Sequence, residues 1–353
     1  LGVDIGSLLI KEEVDTNKLK GKIVAFDAYN IIYQFVTAVR VRGGNPLTDS
    51  NGNITSHLSG LLYRSGYFGD LGIKPVFVFD GKPPELKQET IDMRRKARED
   101  AHEKWLLAVE KKDIKAAEKY AAASARVDMK IIEESKELIQ LMGFPIIDAP
   151  SEGEAQAAFM QKKGDVDIVA SQDYDAFLFG AQNVVRNLTV SGKRKVQGKN
   201  EYRDIMPEWV NLKKTLDFHN INEEQLIDIG LSVGTDFNSG IPGIGPKRAL
   251  KFVKERKNVF DILDEVGKKA IKENKVSEEE IEEEREIIKK ARQFFIHPPV
   301  TEVYELKWEK PKKDEMIELL CRKRDFSEKR VILACEKINK IFEKKQPTLD
   351  QWF

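Results

Sequence analysis

Apolar residues in this chain follow two spacings, and the spacing assigns the elements. Short continuous runs mark buried strands: KIVAFD ending at Asp27, PVFVFDG carrying Asp80, PII at 145–147 and DIVAS at 167–171. Between them, apolar positions recur at helical intervals. Ile31, Phe35 and Val39 follow the first run, and Ser56–Phe68 has similar periodicity. The segment RGGNPLTDSNGNI between those helices is rich in Gly, Asn and Pro and reads as a loop. Strands alternating with helices predict an α/β fold with a mostly parallel central sheet flanked by helices.

The pattern changes after Asp80. Residues 82–126 carry almost no strand signal and read as a long, charged helical insertion between two acid-bearing strands. Lys87 and Arg94 stand seven positions apart, hence on one helix face. Further on, VVRNLTVSGKRKVQ and a Trp/Val segment predict a hairpin at the sheet edge, with Gly192 in its turn. INEEQLIDIGLSVGTDFNSGIPGIGPKRALKFVKE reads as helix, Gly-rich loop, helix. Residues 267–292, a Lys/Glu run, predict a solvated helix; VYELKW predicts a returning strand; Glu328–Lys345 predicts a last helix before the tail QPTLDQWF.

Acid is delivered repeatedly at strand ends. Asp27 and Asp80 close two runs; Glu152 and Glu154 follow the third; Asp173 and Asp175 follow the fourth. Ser151 and Glu154 match the S-x-x-E pattern that caps a helix start. In open α/β sheets, ligands bind in the crevice outside the carboxyl ends of the strands. Taken singly, each acid has an ordinary explanation as a turn former or a cap. Taken together on neighbouring strands, such carboxylates cannot all stay ionised without cations between them, and hard divalent ions such as Mg²⁺ suit oxygen ligands. The basic face of the insertion would then rise from the rim of the site, where it suits a phosphate backbone. Gly240, Gly243 and Gly245 allow close backbone approach to a phosphate, and Lys247 and Arg248 stand in the first turn of the helix that follows.

Composition narrows the classes. The chain has 353 residues, 41% of them hydrophobic, which allows a substantial core in one large α/β domain or two. Lys and Arg number 59 and Asp and Glu also 59, so any nucleic-acid contact must rest on local patches rather than a basic whole. No apolar run approaches membrane length, so no membrane association is expected. Two cysteines, Cys321 and Cys335, without a secretory signal suggest a reducing, cytoplasmic setting.

The motifs AFDAYNIIYQF, VFVFDGKPPELK, APSEGEAQAA, ASQDYDAFLFG and GTDFNSGIPGIGPKRAL make the chain resemble the archaeal flap endonucleases, members of the structure-specific 5′-nuclease (XPG/Rad2) superfamily, over essentially its whole length. The resemblance implies a PIN-like sheet, a helical arch at about 82–126 and a helix–two-turn–helix at about 226–255. It implies a nuclease region at 1–105 and another at 127–260, a C-terminal helical region at 261–345 and a clamp-binding tail at 346–353. The implied reaction is Mg²⁺-dependent incision of branched DNA carrying a 5′ flap, with 5′–3′ exonuclease activity, in Okazaki fragment maturation and long-patch base excision repair. Asp27, Asp80, Glu152 and Glu154 would hold one Mg²⁺, and Asp173, Asp175 and Asp236 the other, with Mn²⁺ able to substitute. Two ions about 3.5–4 Å apart activate water and stabilise the leaving oxygen. Lys87 and Arg94 would neutralise the scissile phosphate and Tyr33 would stack on an unpaired base.

The same resemblance places a K⁺ at carbonyls matching Gly240, Ile241 and Ile244, and a grip on a short 3′ flap at Arg40, Thr55 and Arg64. Gln346, Leu349, Trp352 and Phe353 match a peptide that binds the sliding clamp PCNA; by itself the protein is expected to be a monomer. Family members begin Met-Gly, whereas this chain begins Leu1-Gly2. Two alternatives stand beside the reading: a clamp-associated scaffold that binds junctions without cutting, and a junction-resolving or repair nuclease of the same superfamily. Crowded carboxylates count against the first, because a pure DNA binder would gain from lysine there.

Overall fold

The computed structural model describes residues 2–41, 44–189, 193–195, 202–273 and 276–343. Its strands, in chain order, are β1 (Lys11–Glu13), β2 (Ile23–Asp27), β3 (Lys74–Phe79), β4 (Ile146–Asp148), β5 (Ile168–Ala170), β6 (Asn183–Arg186), β7 (Lys193–Lys195), β8 (Tyr202–Asp204) and β9 (Glu208–Asn211). Among the described residues, all but β7 and β8 form a seven-stranded sheet in the order β1-β9-β6-β5-β2-β3-β4. The run from β6 through β5, β2 and β3 to β4 is parallel, whereas β9 and β1 pair antiparallel at one edge. The expected pairing of these segments is present between β6 and β9, where Val184 lies opposite Val210 and Val185 opposite Trp209, but not at the edge, which β1 takes by pairing with the outer side of β9. β7 and β8 form a separate antiparallel ribbon; Gly192 lies outside the described residues.

Alternating side chains of these strands feed cores on both faces of the sheet. Ala25, Val76, Val78, Val169 and Val184 face one core, which also takes in α6 (Gly153–Lys163), α7 (Asp175–Leu178), α9 (Glu223–Val233) and α10 (Pro246–Lys254). Val24, Phe26, Phe77, Phe79, Ile168 and Val185 face the other, against α1 (Ala28–Ala38), α2 (Ser56–Leu71), α5 (Met129–Leu141) and α14 (Glu328–Asn339). Phe26 stacks on Phe68 at 4.6 Å between ring centroids and on Phe77 at 5.7 Å. Strands buried on both faces read as continuous apolar runs, which is why they were legible. The inserted segment is α3 (Gln88–Glu110) and α4 (Ile114–Ala123), joined by a short turn into a hairpin. No helix among the described residues is long and apolar enough to cross a membrane.

Three expectations are corrected. VYELKW forms no strand. Tyr304, Leu306 and Trp308 alternate like strand residues and pack on the core, but their backbone joins no ladder. The segment is instead held at scattered points: Trp308 Nε1 donates to Pro75 O at 2.8 Å, Glu309 N–H to Gly143 O, and Gln156 exchanges two bonds with the Thr301 backbone. The Lys/Glu run at 267–292 is not one helix. Ser277 and Glu280 form a capping box that starts α12 (Glu278–Ile296), while α11 (Val259–Lys272) ends before it, and Ile288 and Ala291 are buried. The last helix, α14, ends at Asn339 rather than Lys345, with a turn following. Cys321 and Cys335 are both free.

Candidate active site

The register of the parallel strands aligns their carboxyl ends. Asp27 of β2 lies opposite Val78, Phe26 opposite Ala170 of β5, and Phe79 opposite Asp148 of β4. Asp80 and the loop from Ser171 onward therefore emerge beside Asp27. Asp27 is the N-cap of α1, accepting the Asn30 N–H at 3.0 Å. Asp80 accepts the Gly153 N–H at 2.6 Å, which ties the end of β3 to the start of α6. Glu152 is the N-cap residue of α6 and Glu154 lies in its first turn.

The anticipated capping bond at this helix does not form. Glu154 instead accepts from Ser171 Oγ at 2.5 Å, which turns its carboxylate toward the other acids. Asp173 accepts from Asn30 Nδ2 at 3.1 Å, and Asp175, at the start of α7, accepts from the Val3 N–H at 2.7 Å. Asp236 arrives from the turn after α9 and is 7% exposed.

Electrostatics show that the acids share one region. Burial pushes the Asp27 carboxyl well above the usual range, and Asp80 and Asp173 push it further. Burial does the same for Glu154, reinforced by Asp175, Asp27 and Asp173. Asp175 is raised to about 7 by burial, with Asp236 and Asp173 adding repulsion. Glu152 is raised by burial and by Asp80 and Asp236, against the pull of Lys87.

Cations of the inserted hairpin reach into this cluster. Lys87, at the foot of α3, places Nζ 2.5 Å from Glu152 Oε2 and 3.5 Å from Asp236 Oδ2. Arg94 Nη2 bonds Asp236 Oδ1 at 2.5 Å, and Thr90 Oγ1 bonds the Asp236 carbonyl. Burial works against the Lys87 charge, but Glu152, Asp236 and Asp80 outweigh it and hold its pKa above the ordinary value.

The donor set consists of hard carboxylate oxygens that repel one another, from buried Asp175 and Asp236 through partly buried Asp27, Glu152, Glu154 and Asp173 to exposed Asp80, which is the chemistry that binds Mg²⁺ or Mn²⁺. The fit is chemical rather than geometric in advance: among the described residues, no three acids, histidines or cysteines already converge as a ligand group. Part of the cluster is neutralised by Lys87 and Arg94.

The remaining predicted residues lie around this centre. Tyr33 is 36% exposed on α1. Tyr29, one turn earlier and absent from the sequence-based set, is exposed and feels the charges of Arg98, Asp80 and Arg94. Arg40 is engaged by its own turn, donating to Thr37 O and Gly44 O. Thr55 is buried at the N-cap of α2, near Arg40 through the Ser56 Oγ–Val39 O bond. Arg64, on α2, lies over the Tyr67 ring. In the loop joining α9 to α10, Gly240 and Gly243 take φ of 78° and 77°, values that L side chains rarely adopt. Ile241 and Ile244 bury their side chains, and Gly245 is the N-cap of α10, which begins at Pro246. Lys247 and Arg248 are exposed on its first turn, Arg248 donating back to Gly243 O. Gln346, Leu349, Trp352 and Phe353 lie outside the described residues, as does Leu1.

Asn30 and Ser171, which hold Asp173 and Glu154, were not singled out from sequence. Each stands within three residues of a predicted acid, the one signal that could have drawn attention to them.

Comparison with known proteins places the chain in a family. Residues 6–101 match the XPG N-terminal domain and residues 143–236 the XPG I-region. Proteins named flap endonuclease 1 from Methanosarcina barkeri and Archaeoglobus fulgidus are 49% and 46% identical over 353 residues, the whole of each chain. The flap endonuclease-1 structure from Methanococcus jannaschii aligns with a TM-score of 0.71 at 39% identity, covering 97% of this chain and 99% of that one. The catalytic core of Rad2, solved with a DNA substrate, shares the fold at 23% identity and a TM-score of 0.66, covering 95% of this chain and 97% of its own. The chain thus belongs to the flap endonuclease 1 family, whose activity is the structure-specific cutting of flapped DNA.

Proposed function

We propose that this chain cuts branched DNA near the base of a 5′ flap, using two Mg²⁺ ions held by Asp27, Asp80, Glu152 and Glu154 on one side and Asp173, Asp175 and Asp236 on the other. The observation that carries this reading is that acids at or just past the carboxyl ends of the parallel strands, with Asp236 from the turn after α9, lie near enough to repel one another, under the cations of the inserted hairpin. Such ions, when bound, supply an activated water and charge stabilisation for phosphodiester hydrolysis, with Mn²⁺ able to replace Mg²⁺. Lys87 and Arg94 exchange their carboxylate partners for the scissile phosphate and stabilise its developing charge. Tyr33 offers a ring to a base unpaired on the way to the site.

DNA on the far side of the cut is held by the glycine loop and by Lys247 and Arg248 at the start of α10, with K⁺ at the Gly240, Ile241 and Ile244 carbonyls. Arg40, Thr55 and Arg64 contact a short 3′ flap. The tail at Gln346, Leu349, Trp352 and Phe353 engages the sliding clamp PCNA, and the free protein is a monomer working inside the archaeal cell. In this layout residues 1–105 and 127–260 form the nuclease regions and 261–345 supports them.

The test is cleavage of an end-labelled 5′-flap duplex in Mg²⁺ and in EDTA. A product near the junction in Mg²⁺ alone is expected. No metal-dependent product would end the proposal, and faster cutting of a four-way junction than of the flap would move it to the junction-resolving relatives.

A further inference from the structure

The loop that carries Asp173 and Asp175 has a problem that its own backbone does not solve. Both acids enter a cluster in which they repel Glu154 and each other, while Asp173 also repels Asp27 and Asp175 also repels Asp236. The loop is followed only by the four-residue helix α7. Repulsion of this kind drives the acids apart unless something outside the cluster restrains them.

The residue between the two acids shows what opposes it. Tyr174 is partly buried against the core, and one guanidinium, that of Arg186 on β6, grips it. Arg186 Nη1 donates to the Tyr174 hydroxyl, and the Arg186 guanidinium carbon lies 4.2 Å from the Tyr174 ring centroid. Arg186 Nε donates to the Gln172 carbonyl at 3.0 Å. The same side chain thus holds the residues on both sides of Asp173. Glu208 Oε2, 3.4 Å from Arg186 Nη1, anchors it to β9. The ring is further enclosed by the N-terminal segment. A Cβ at Gly6 would stand 2.7 Å from Tyr174 Cε2, so only glycine permits this approach, and Lys11 Nζ lies 5.3 Å from the ring centroid.

We propose that Arg186 and Tyr174 form a positioning clamp that sets how tightly Asp173 and Asp175 hold a divalent cation. This rests on the reading of those two acids as metal ligands. Groups that orient a metal ligand without touching the metal change its affinity by about tenfold or more when removed. Arg is suited to the task because its planar fork can serve a carbonyl and a hydroxyl together, which lysine does not reproduce.

The experiment is Mn²⁺ binding to the full chain without DNA, by electron paramagnetic resonance titration. Arg186→Met is expected to weaken binding about tenfold and to raise the Mg²⁺ needed for half-maximal flap cutting by the same factor. Cutting at saturating Mg²⁺ should recover to near wild type, with flap-DNA affinity in EDTA unchanged. Tyr174→Phe keeps the ring under the guanidinium and loses only the hydroxyl bond, so it should fall between the two. An Arg186→Met protein that binds Mn²⁺ as wild type does, or whose lost cutting saturating Mg²⁺ does not restore, overturns the proposal. If Arg186→Met fails to fold, Tyr174→Phe decides, and an unchanged isotherm there sinks the clamp. Asp173→Ala, run alongside, separates the two ideas. Its loss of Mn²⁺ binding beside an intact Arg186→Met refutes the clamp alone, whereas its normal binding refutes the ligand reading and the clamp with it.

Discussion

Lys87 makes contact with two acids that come from distant parts of the chain, Glu152 and Asp236. A lysine so placed answers carboxylate repulsion until a phosphate competes for it. Lys87→Ala should lower the single-turnover cutting rate by about 10²–10³ while changing flap-DNA affinity only severalfold. An equal loss in both would mark Lys87 as a binding residue only.

The raised carboxyls lead to a second expectation. Because Asp27, Glu154 and Asp175 hold protons more tightly than free acids do, a divalent ion must displace protons as it binds. Metal affinity should therefore climb as pH rises toward and through about 7, the value for Asp175. Calorimetry of Mg²⁺ binding near pH 6.5, in two buffers of different ionisation enthalpy, should give different heats. Identical heats would mean that the acids are already ionised.

Away from the site, α2, α5 and the turn before α14 are joined by a buried polar network. His57 Nε2 lies 3.2 Å from Glu134 Oε2, Arg324 bonds Glu134 at 2.5 Å, and Arg324 also reaches Asp49 at 3.2 Å. Burial lowers the His57 pKa to about 4 despite the Glu134 contact. The unfolded chain takes up this proton near the ordinary histidine value, the folded chain only near 4. The stability concerned is therefore complete above about pH 6.5 and is lost as pH falls through that window. At pH 5 the loss is ~2 kcal/mol. His57→Gln should flatten the fall in denaturant midpoint between pH 7.5 and 5, and an unchanged slope would place the acid sensitivity elsewhere.

The same elements show which local signals were readable. β2 and β3 were legible because burial on both faces leaves an unbroken apolar run. β1 was missed because its residues, Lys11–Glu13, are all exposed and owe their strand conformation to pairing with β9. VYELKW had the alternation of a strand without a neighbour to pair with, since packing set its side chains and isolated bonds set its backbone. The Ser151–Glu154 capping pattern was outcompeted by Ser171, a partner that no local window contains.

For the molecule as a whole, the seven-stranded sheet is a platform, and the α3–α4 hairpin and the α9–α10 loop are the parts brought to it. Deleting residues 346–353 should leave cutting of free flap DNA unchanged and abolish its stimulation by the sliding clamp. Stimulation that survives the deletion would refute the tail assignment. The chain's own pattern was enough for the class of fold, the strands ending in acid and the charged insertion, because each is written in spacing that neighbours enforce locally. Only the folded arrangement decides that acids from 27 to 236 come near enough to repel one another, that Lys87 reaches Glu152 and Asp236 and Arg94 reaches Asp236, and that Arg186 braces the loop between two of them. Those facts depend on strand order and register, which are selected by burial across the whole sheet rather than by any short stretch of residues.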